Sequence, residues 1–215
     1  MNKRDEKIKI CGIKDSKILD FLIERNVNYY GLIFYENSPR FIDIDKALNL
    51  INISKNSNIQ AVGVFVNMKI NLLKTFIEKL DLKIIQLHGN EDDEFIKKIK
   101  KDYDLEVIKA LGINDYEDIK KTILFSNADY FLFDYKPTKK NEMPGGNAKK
   151  FDWDILKNLK LEKKWFLSGG INIKNIKNAL QIKNVYGFDI SSGVEDRPGI
   201  KSVKKINELL NKINL

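Results

Sequence analysis

Short apolar runs rich in β-branched and aromatic residues alternate with amphipathic helical stretches about eight times along this chain. The first run, residues 7–11, ends in a cysteine and leads into a helical pattern in which Ile18, Leu19, Leu22 and Ile23 share one face. Seven similar runs follow, at residues 30–35, 60–66, 83–87, 106–110, 130–134, 165–168 and 185–190. Alternating strand and helix units predict a parallel sheet with helices packed on it.

Eight such units favour closure of the sheet into a (β/α)₈ TIM barrel, so we expect an α/β fold with residues 1–215 forming a single domain. The 215 residues lie near the lower end of the range for that barrel. A doubly wound open sheet is the competing architecture. No Gly-x-Gly-x-x-Gly turn follows the first run, so a dinucleotide site at that point has no support.

The composition narrows the class of protein. Its 43% hydrophobic residues, with 12 Phe, 8 Tyr and 2 Trp, exclude a disordered chain. One cysteine excludes an intramolecular disulfide and fits a reducing compartment. No apolar run is long enough for a signal peptide or a membrane span, so a soluble cytoplasmic protein without a membrane partner is expected.

A net charge of +8 raises the question of nucleic-acid binding. The lysines come in small pairs on predicted helix surfaces, such as Lys97-Lys98 and Lys204-Lys205, and are interleaved with acidic residues. That pattern favours a solvated outer face over a nucleic-acid stripe, so no nucleic-acid partner is expected. The charge would still help to attract a small anionic substrate.

In a barrel of this kind, the active site is built from the C-terminal ends of the strands and the loops that follow them. The chemistry-bearing residues at those places are Cys11, Arg40, His88, Lys109, Asp134, Ser168 with Gly169-Gly170, and Asp189 with Ser191-Ser192-Gly193. Cys11 can be interpreted in two ways. A lone free cysteine is most often a small buried hydrophobe, and the alternative is a reactive thiol.

Two glycine-containing strand ends predict a phosphate site. Gly169 and Gly170 follow the seventh run just before a predicted helix, and Ser191, Ser192 and Gly193 follow the eighth. Glycines let backbone N–H groups approach a phosphate, serine hydroxyls add donors, and a helix N-terminus adds partial positive charge. The alternative is a pair of tight turns chosen only for backbone geometry.

The remaining polar candidates are less specific. Asp134 ends an apolar strand, where a carboxylate is costly to bury without a partner, so it is a candidate general acid, metal ligand or helix cap. Arg40 follows Ser38-Pro39 and could bind a substrate carboxylate in bidentate fashion, or lie on the surface. His88 is a structural or a catalytic candidate, and Lys109 is expected to point into the barrel or the site. One histidine and scattered acids offer no recognisable metal-ligand spacing, so no metal is expected.

With these positions known, the chain resembles the phosphoribosylanthranilate isomerase family of tryptophan biosynthesis. The matching stretches, in order, are Lys9-Ile10-Cys11-Gly12-Ile13; Gly31-Leu32-Ile33-Phe34-Tyr35 with Ser38-Pro39-Arg40; Val62-Gly63-Val64-Phe65-Val66-Asn67; Gln86-Leu87-His88-Gly89; Gly145-Gly146 with Phe151-Asp152-Trp153; Ser168-Gly169-Gly170; and Asp189-Ile190-Ser191-Ser192-Gly193-Val194-Glu195 with Pro198-Gly199. The stretches at residues 147–150 and 200–202 depart from the usual family pattern.

The resemblance implies an Amadori rearrangement of N-(5′-phosphoribosyl)anthranilate into the 1-deoxyribulose 5-phosphate, without a cofactor. It implies that Asp134 is the general acid that opens the sugar ring and that Cys11, as thiolate, removes the C2′ proton. Arg40 would bind the anthranilate carboxylate, with His88 and Asp189 also contacting substrate. Gly169, Gly170, Ser191, Ser192 and Gly193 would bind the phosphate.

This chemistry requires unusual protonation states. A free thiol titrates near ~8.5 and a free aspartate near ~3.9, so at neutral pH each is by default in the wrong form. We expect local positive charge to favour the thiolate and apolar surroundings to favour the protonated carboxyl.

Two other functions stay open at this point: a related histidine-pathway isomerase, or a non-catalytic barrel that binds phosphorylated metabolites. A monomer or homodimer is expected.

Overall fold

Eight parallel strands pair side by side in chain order, and the eighth pairs with the first to close a barrel. The computed structural model describes residues 6–136, 151–157 and 159–213. The barrel strands are β1 Lys7–Cys11, β2 Tyr29–Ile33, β3 Gln60–Phe65, β4 Ile84–Leu87, β5 Glu106–Ile113, β6 Tyr130–Tyr135, β7 Lys164–Leu167 and β8 Gly187–Ile190. The expected (β/α)₈ architecture is confirmed.

Helices surround the barrel and pack on its outer face. They are α1 Ser16–Glu24, α2 Ile44–Ser54, α3 Ile70–Leu80, α4 Asp93–Asp102, α5 Tyr116–Lys120, α6 Ile176–Ala179 and α7 Val203–Ile213, with 3₁₀ turns at Lys121–Leu124 and Trp153–Leu156. An aspartate caps the N-terminus of α1, α2, α4 and α5 by accepting a backbone N–H within its first turn. Each cap fixes where a strand-to-helix loop ends, and therefore how the loop crosses the barrel mouth.

The pleat of each strand sorts its side chains into two layers, because successive residues point to opposite faces. On β1, Ile8 and Ile10 join the apolar layer shared with the helices, whereas Cys11 joins the barrel interior. The interior cluster also contains Tyr29, Val62, Val64, Ile84, Ile108, Ala110, Leu132 and Phe166. Side chains at the C-terminal end of this interior layer border the barrel mouth.

The connection after β7 differs from expectation. The sequence pattern predicts a helix through Ile173, Ile176 and Leu180, but α6 has only four residues. Asparagine side chains bond the local backbone ahead of it, since Asn172 Oδ1 accepts from the Lys174 N–H and Asn175 Oδ1 accepts from the Asn172 N–H. Such side-chain bonds satisfy backbone groups without a helix, which accounts for the late start and short length of α6.

The connection after β8 also differs, because a hairpin comes before the last helix. Strand β9 Glu195–Arg197 pairs antiparallel with β10 Ile200–Lys201. Between them stands Pro198-Gly199, and Gly199 has a φ of +81°, which is the geometry that glycine supplies after proline in a type II turn. The composition of residues 135–150, with two prolines and two glycines, predicts an irregular loop, and residues 137–150 of it lie outside the described residues. Within the described ranges no helix is long and apolar enough to cross a membrane.

Neighbouring leucines on α3 give a test of the helix layer. Leu73 is fully buried against the barrel and Leu72 is half exposed. We expect Leu73→Ala to lower the free energy of unfolding by roughly 2–5 kcal/mol, because it leaves a cavity. Leu72→Ala, the matched control, should change it by no more than about 0.5 kcal/mol. Urea unfolding followed by circular dichroism measures both, and equal effects would contradict the packing described above.

Candidate active site

A cavity opens at the C-terminal ends of the barrel strands. Its walls are formed by Cys11, Ile33, Tyr35, Ser38, Arg40, Val64, Val66, Gln86, His88, Asp134, Ser168, Asp189 and Ser191. Seven of the candidates singled out from the sequence therefore line one cavity. They come from β1, β6 and β8 and from the loops after β2, β4, β7 and β8.

Cys11 is buried at the end of β1, next to Gly31 on β2. Its carbonyl accepts a hydrogen bond from the Ser191 hydroxyl (3.0 Å), which joins the ends of β1 and β8. Burial raises the pKa of the Cys11 thiol above its ordinary value, and the nearby Lys9 ammonium acts in the opposite direction. Local positive charge therefore favours the thiolate, as expected, but in the ligand-free protein desolvation is the larger effect.

His88 lies between Gln86 and Asp134 in the cavity and contacts both side chains. A hydrogen bond of 2.8 Å joins the Gln86 side-chain amide to His88 Nδ1, and the other ring nitrogen of His88, Nε2, faces Asp134. That Nε2 lies 3.5 Å from Asp134 Oδ2, while Asp134 Oδ1 accepts from the Tyr135 N–H at 2.7 Å. Asp134 is thus buried with polar partners at both carboxylate oxygens.

Arg40 is buried rather than on the surface, and an acidic residue holds it. Its Nε and Nη2 each bond one oxygen of Glu195 at 2.8 Å, a bidentate pair between the loop after β2 and strand β9. Lys201 on β10 also bonds Glu195 Oε1 (2.7 Å) and the carbonyl of Ser191 (3.1 Å). Desolvation lowers the pKa of Lys201 to about 8. The pKa of Glu195 is also lowered: burial raises it, but bonds from Arg40 and Lys201 outweigh that effect.

The two glycine-containing loops lie side by side at the mouth. A parallel bridge joins Asn172 to Gly193, and a Cβ on Gly193 would lie 1.9 Å from the Ile171 carbonyl oxygen. Two features differ from the sequence-based expectation. Five residues separate Gly170 from the four-residue α6, and β9 rather than a helix follows Gly193, so the helix dipole expected to assist phosphate binding is weak here.

Lys109 does not point into the barrel or the site, so that prediction is wrong. Its neighbours Ile108 and Ala110 face the barrel interior, and the pleat turns Lys109 toward the helix layer. There it is 2% exposed and bonds the Gly89 carbonyl (2.7 Å) and Glu91 (3.1 Å). No cluster of three or more metal-ligating side chains occurs within the described part of the chain.

Sequence reasoning missed four polar residues that shape the site: Lys9, Gln86, Glu195 and Lys201. Lys9 and Gln86 precede Cys11 and His88 by two positions, so strand periodicity alone places them on the same face. Glu195 and Lys201 had no such signal. They enter the site because the Pro198-Gly199 hairpin folds them back over β8.

Comparison with known proteins identifies the family. Residues 8–212 match the model of the N-(5′-phosphoribosyl)anthranilate (PRA) isomerase family. N-(5′-phosphoribosyl)anthranilate isomerases from Rhizobium rhizogenes and Paramagnetospirillum magneticum are 40% and 38% identical, over 96% and 94% of this chain and 93% and 94% of theirs. The chain belongs to the phosphoribosylanthranilate isomerase family. The sequence-based prediction of an isomerase of tryptophan biosynthesis is confirmed.

Solved structures agree with this family at the level of fold. The phosphoribosylanthranilate isomerase of Thermotoga maritima superposes with a TM-score of 0.86 at 29% identity, covering 97% of this chain and 98% of that one. A second isomerase structure, in complex with reduced 1-(o-carboxyphenylamino)-1-deoxyribulose 5-phosphate, has a TM-score of 0.81 at 27% identity, with the same coverage. Family membership decides against the histidine-pathway isomerase and the non-catalytic barrel.

Gly31 keeps room for the thiol at the end of β1, and this gives a test of the site. A Cβ on Gly31 would lie 2.6 Å from Cys11 Sγ, too close for any stable contact. We expect Gly31→Ala to displace the thiol and to lower kcat/KM about 100-fold, the scale of a misplacement near 1 Å. A steady-state assay with phosphoribosylanthranilate measures this.

Gly63→Ala on β3 is the matched control, because its Cβ would instead meet Leu82 and Phe65. We expect it to lower the melting temperature but to leave kcat/KM within about threefold of the unaltered protein, since it does not touch the thiol. If both variants lose activity equally, the contact between Gly31 and Cys11 does not explain the loss.

Proposed function

We propose that this isomerase performs its Amadori rearrangement with Cys11 as general base and Asp134 as general acid. The observation that carries the proposal is that a thiol and a carboxyl group, from β1 and β6, line one cavity beside a buried arginine. Such a cavity fits a substrate with an anionic ring at one end and a phosphate at the other. The two groups act in successive steps on the two sides of C1′ of the same sugar, one at the ring oxygen and one at C2′.

Asp134 acts first. It protonates the furanose ring oxygen, the C1′–O bond breaks, and the anthranilate nitrogen supplies electrons to form an iminium at C1′. The contact between His88 Nε2 and Asp134 Oδ2 supports this role, because a donor at that distance steadies the carboxylate left after proton transfer. The bond from the Tyr135 N–H fixes the other oxygen and so the direction of the carboxyl group.

Cys11 acts second, as thiolate. It removes the C2′ proton, and the electrons move into the iminium to give an enolamine that tautomerises to the aminoketone. The iminium is itself the electron sink, so the proposal requires no cofactor. Since burial raises the pKa of Cys11, the thiolate is a minor species near neutral pH, and any nearby cation increases its share.

Arg40 is proposed to bind the anthranilate carboxylate. Glu195 already bonds the Nε–Nη2 edge of the guanidinium, so a substrate carboxylate would use the Nη1 side. In this view Glu195 aims the guanidinium into the cavity. Gly169, Gly170, Ser191, Ser192 and Gly193 are proposed to bind the phosphate, since their loops meet at the mouth.

The location and assembly of the protein are also proposals. A cytoplasmic enzyme fits the single cysteine and the biosynthetic role. Either a monomer or a homodimer fits the fold, and the Thermotoga maritima relative is described as a dimeric enzyme from which monomers were generated. Light scattering coupled to gel filtration distinguishes the two states.

Removing either proposed catalytic group tests the mechanism. We expect Cys11→Ser and Asp134→Asn each to lower kcat by roughly 10²–10⁴-fold, because proton transfer by a positioned group contributes about that much. Loss of the substrate's fluorescence follows the reaction, and circular dichroism checks the fold. Thr75→Ala, exposed on α3 away from the cavity, is the control. Near-normal turnover in either catalytic variant would show that the role is misassigned.

Replacing Arg40 by lysine tests the carboxylate site. Lysine keeps the charge but loses the planar fork, so we expect Arg40→Lys to raise KM roughly 10–100-fold with a smaller effect on kcat. A matched pair of competitive inhibition assays, with anthranilate and with aniline, locates the effect. In Arg40→Lys, anthranilate should inhibit less strongly than in the unaltered enzyme, whereas inhibition by aniline should not change. Equal weakening with both compounds would mean that Arg40 does not contact the carboxylate.

A further inference from the structure

One buried cation in the barrel has no part in the mechanism described so far. Lys9 lies in the middle of β1, is 0% exposed, and has the same strand parity as Cys11 two residues later. Both side chains therefore face the barrel interior. A lysine is rarely buried completely unless a carboxylate pairs with it, because its ammonium loses hydration there.

The partner of Lys9 is Asp189, and the closure of the barrel places it there. In the β1–β8 pairing Lys9 stands directly opposite Asp189, and Lys9 Nζ lies 2.8 Å from Asp189 Oδ1. Asp189 is also nearly fully buried and lines the same cavity as Cys11. The ion pair thus lies in the barrel interior, one layer of side chains below the thiol of Cys11.

We propose that Lys9 is a positioning residue for the isomerase: its ammonium, held in place by Asp189, supplies the fixed positive charge that makes the thiolate of Cys11 attainable. This inference rests on the proposed role of Cys11 as general base and adds the group that supports it. With an apolar residue at position 9, the thiolate would have to form in a buried site whose other nearby charges favour it less or oppose it.

The electrostatics agree with this geometry. Burial lowers the pKa of Lys9, but attraction to Asp189 and to Cys11 outweighs it and raises the pKa overall, so the side chain stays an ammonium across the physiological range. Among the charges near Cys11, Lys9 favours the thiolate most, Lys201 favours it less, and Asp189 opposes it. Because desolvation lowers the pKa of Lys201 to about 8, that second cation is partly lost in the range where the thiol titrates.

The charged and titratable groups around Cys11 come from several elements. They are Lys9 on β1, Asp189 on β8, Lys201 on β10, and Arg40, His88 and Asp134 on other walls of the same cavity. The neighbouring β2 residues Gly31 and Ile33 carry no charge. Among the cations named here, Lys9 is the one that is completely buried and that lies on the same strand as Cys11.

The thiol can be titrated directly, because Cys11 is the only cysteine of the chain. The rate of alkylation by iodoacetamide follows the thiolate fraction, so its pH profile gives the pKa of Cys11 without any substrate. We expect Lys9→Gln, whose amide can still donate to Asp189, to move this profile upward by about one pH unit. The rate below that range should then fall about tenfold.

Controls separate charge from packing. Lys9→Met is a second neutral variant and should move the profile in the same direction, so either variant that folds decides the question. Lys9→Arg keeps the charge and should stay near the unaltered profile. Lys109→Met also removes a buried, carboxylate-paired lysine, but one that faces the helix layer, and it should leave the titration of Cys11 unchanged.

Steady-state kinetics supply the second readout. At neutral pH and below, kcat/KM for Lys9→Gln should be furthest below that of the unaltered enzyme. It should approach the unaltered value as the pH rises, because hydroxide then supplies the thiolate that Lys9 no longer favours. A merely structural role would lower kcat/KM by one factor at every pH.

An unchanged alkylation profile in a folded neutral variant of Lys9 would overturn the inference. That result would leave the proposed base intact, because Cys11→Ser tests the base separately. If Cys11→Ser is active, the proposed function fails whatever the titration shows.

Discussion

The strict alternation of side chains along a closed barrel is the constraint on which the rest of this structure depends. Closure brings β8 against β1 with Lys9 opposite Asp189, and the pleat then determines which residues share the interior. A shift of one residue in that pairing would send either Cys11 or Asp189 to the helix layer and bring Ile10 or Ile190 inside in its place. The register of one strand pair therefore decides whether the site exists.

The site consists of charges buried in pairs. Lys9 with Asp189, and Arg40 and Lys201 with Glu195, are nearly inaccessible to water, and each unpaired member would cost several kcal/mol. Replacing such pairs by apolar residues would often stabilise a fold, so their presence here points to function. The common result is that three buried cations, each held by a carboxylate, lie at or beside the cavity that Cys11 lines.

Much of this could be predicted from the sequence, and the failures have physical reasons. The eight strands and the cavity residues Cys11, Arg40, His88, Asp134 and Asp189 follow from local patterning and one rule about barrel mouths. Lys109 was misassigned because an alternating face is ambiguous when both faces of a strand are buried. The expected helix after β7 was too long, since asparagine side chains bonded to the local backbone outweigh an apolar spacing that is typical of helices.

The sequence by itself determined the fold class, the order of elements and the set of chemistry-bearing strand ends, because these depend on short-range periodicity and on residue type. Only the tertiary structure decided which charges meet. Glu195 reaches Arg40 across 155 positions, and Asp189 reaches Lys9 across 180. Such contacts depend on barrel closure and on the β9–β10 hairpin. The protonation of Cys11 likewise depends on burial, which no local pattern encodes.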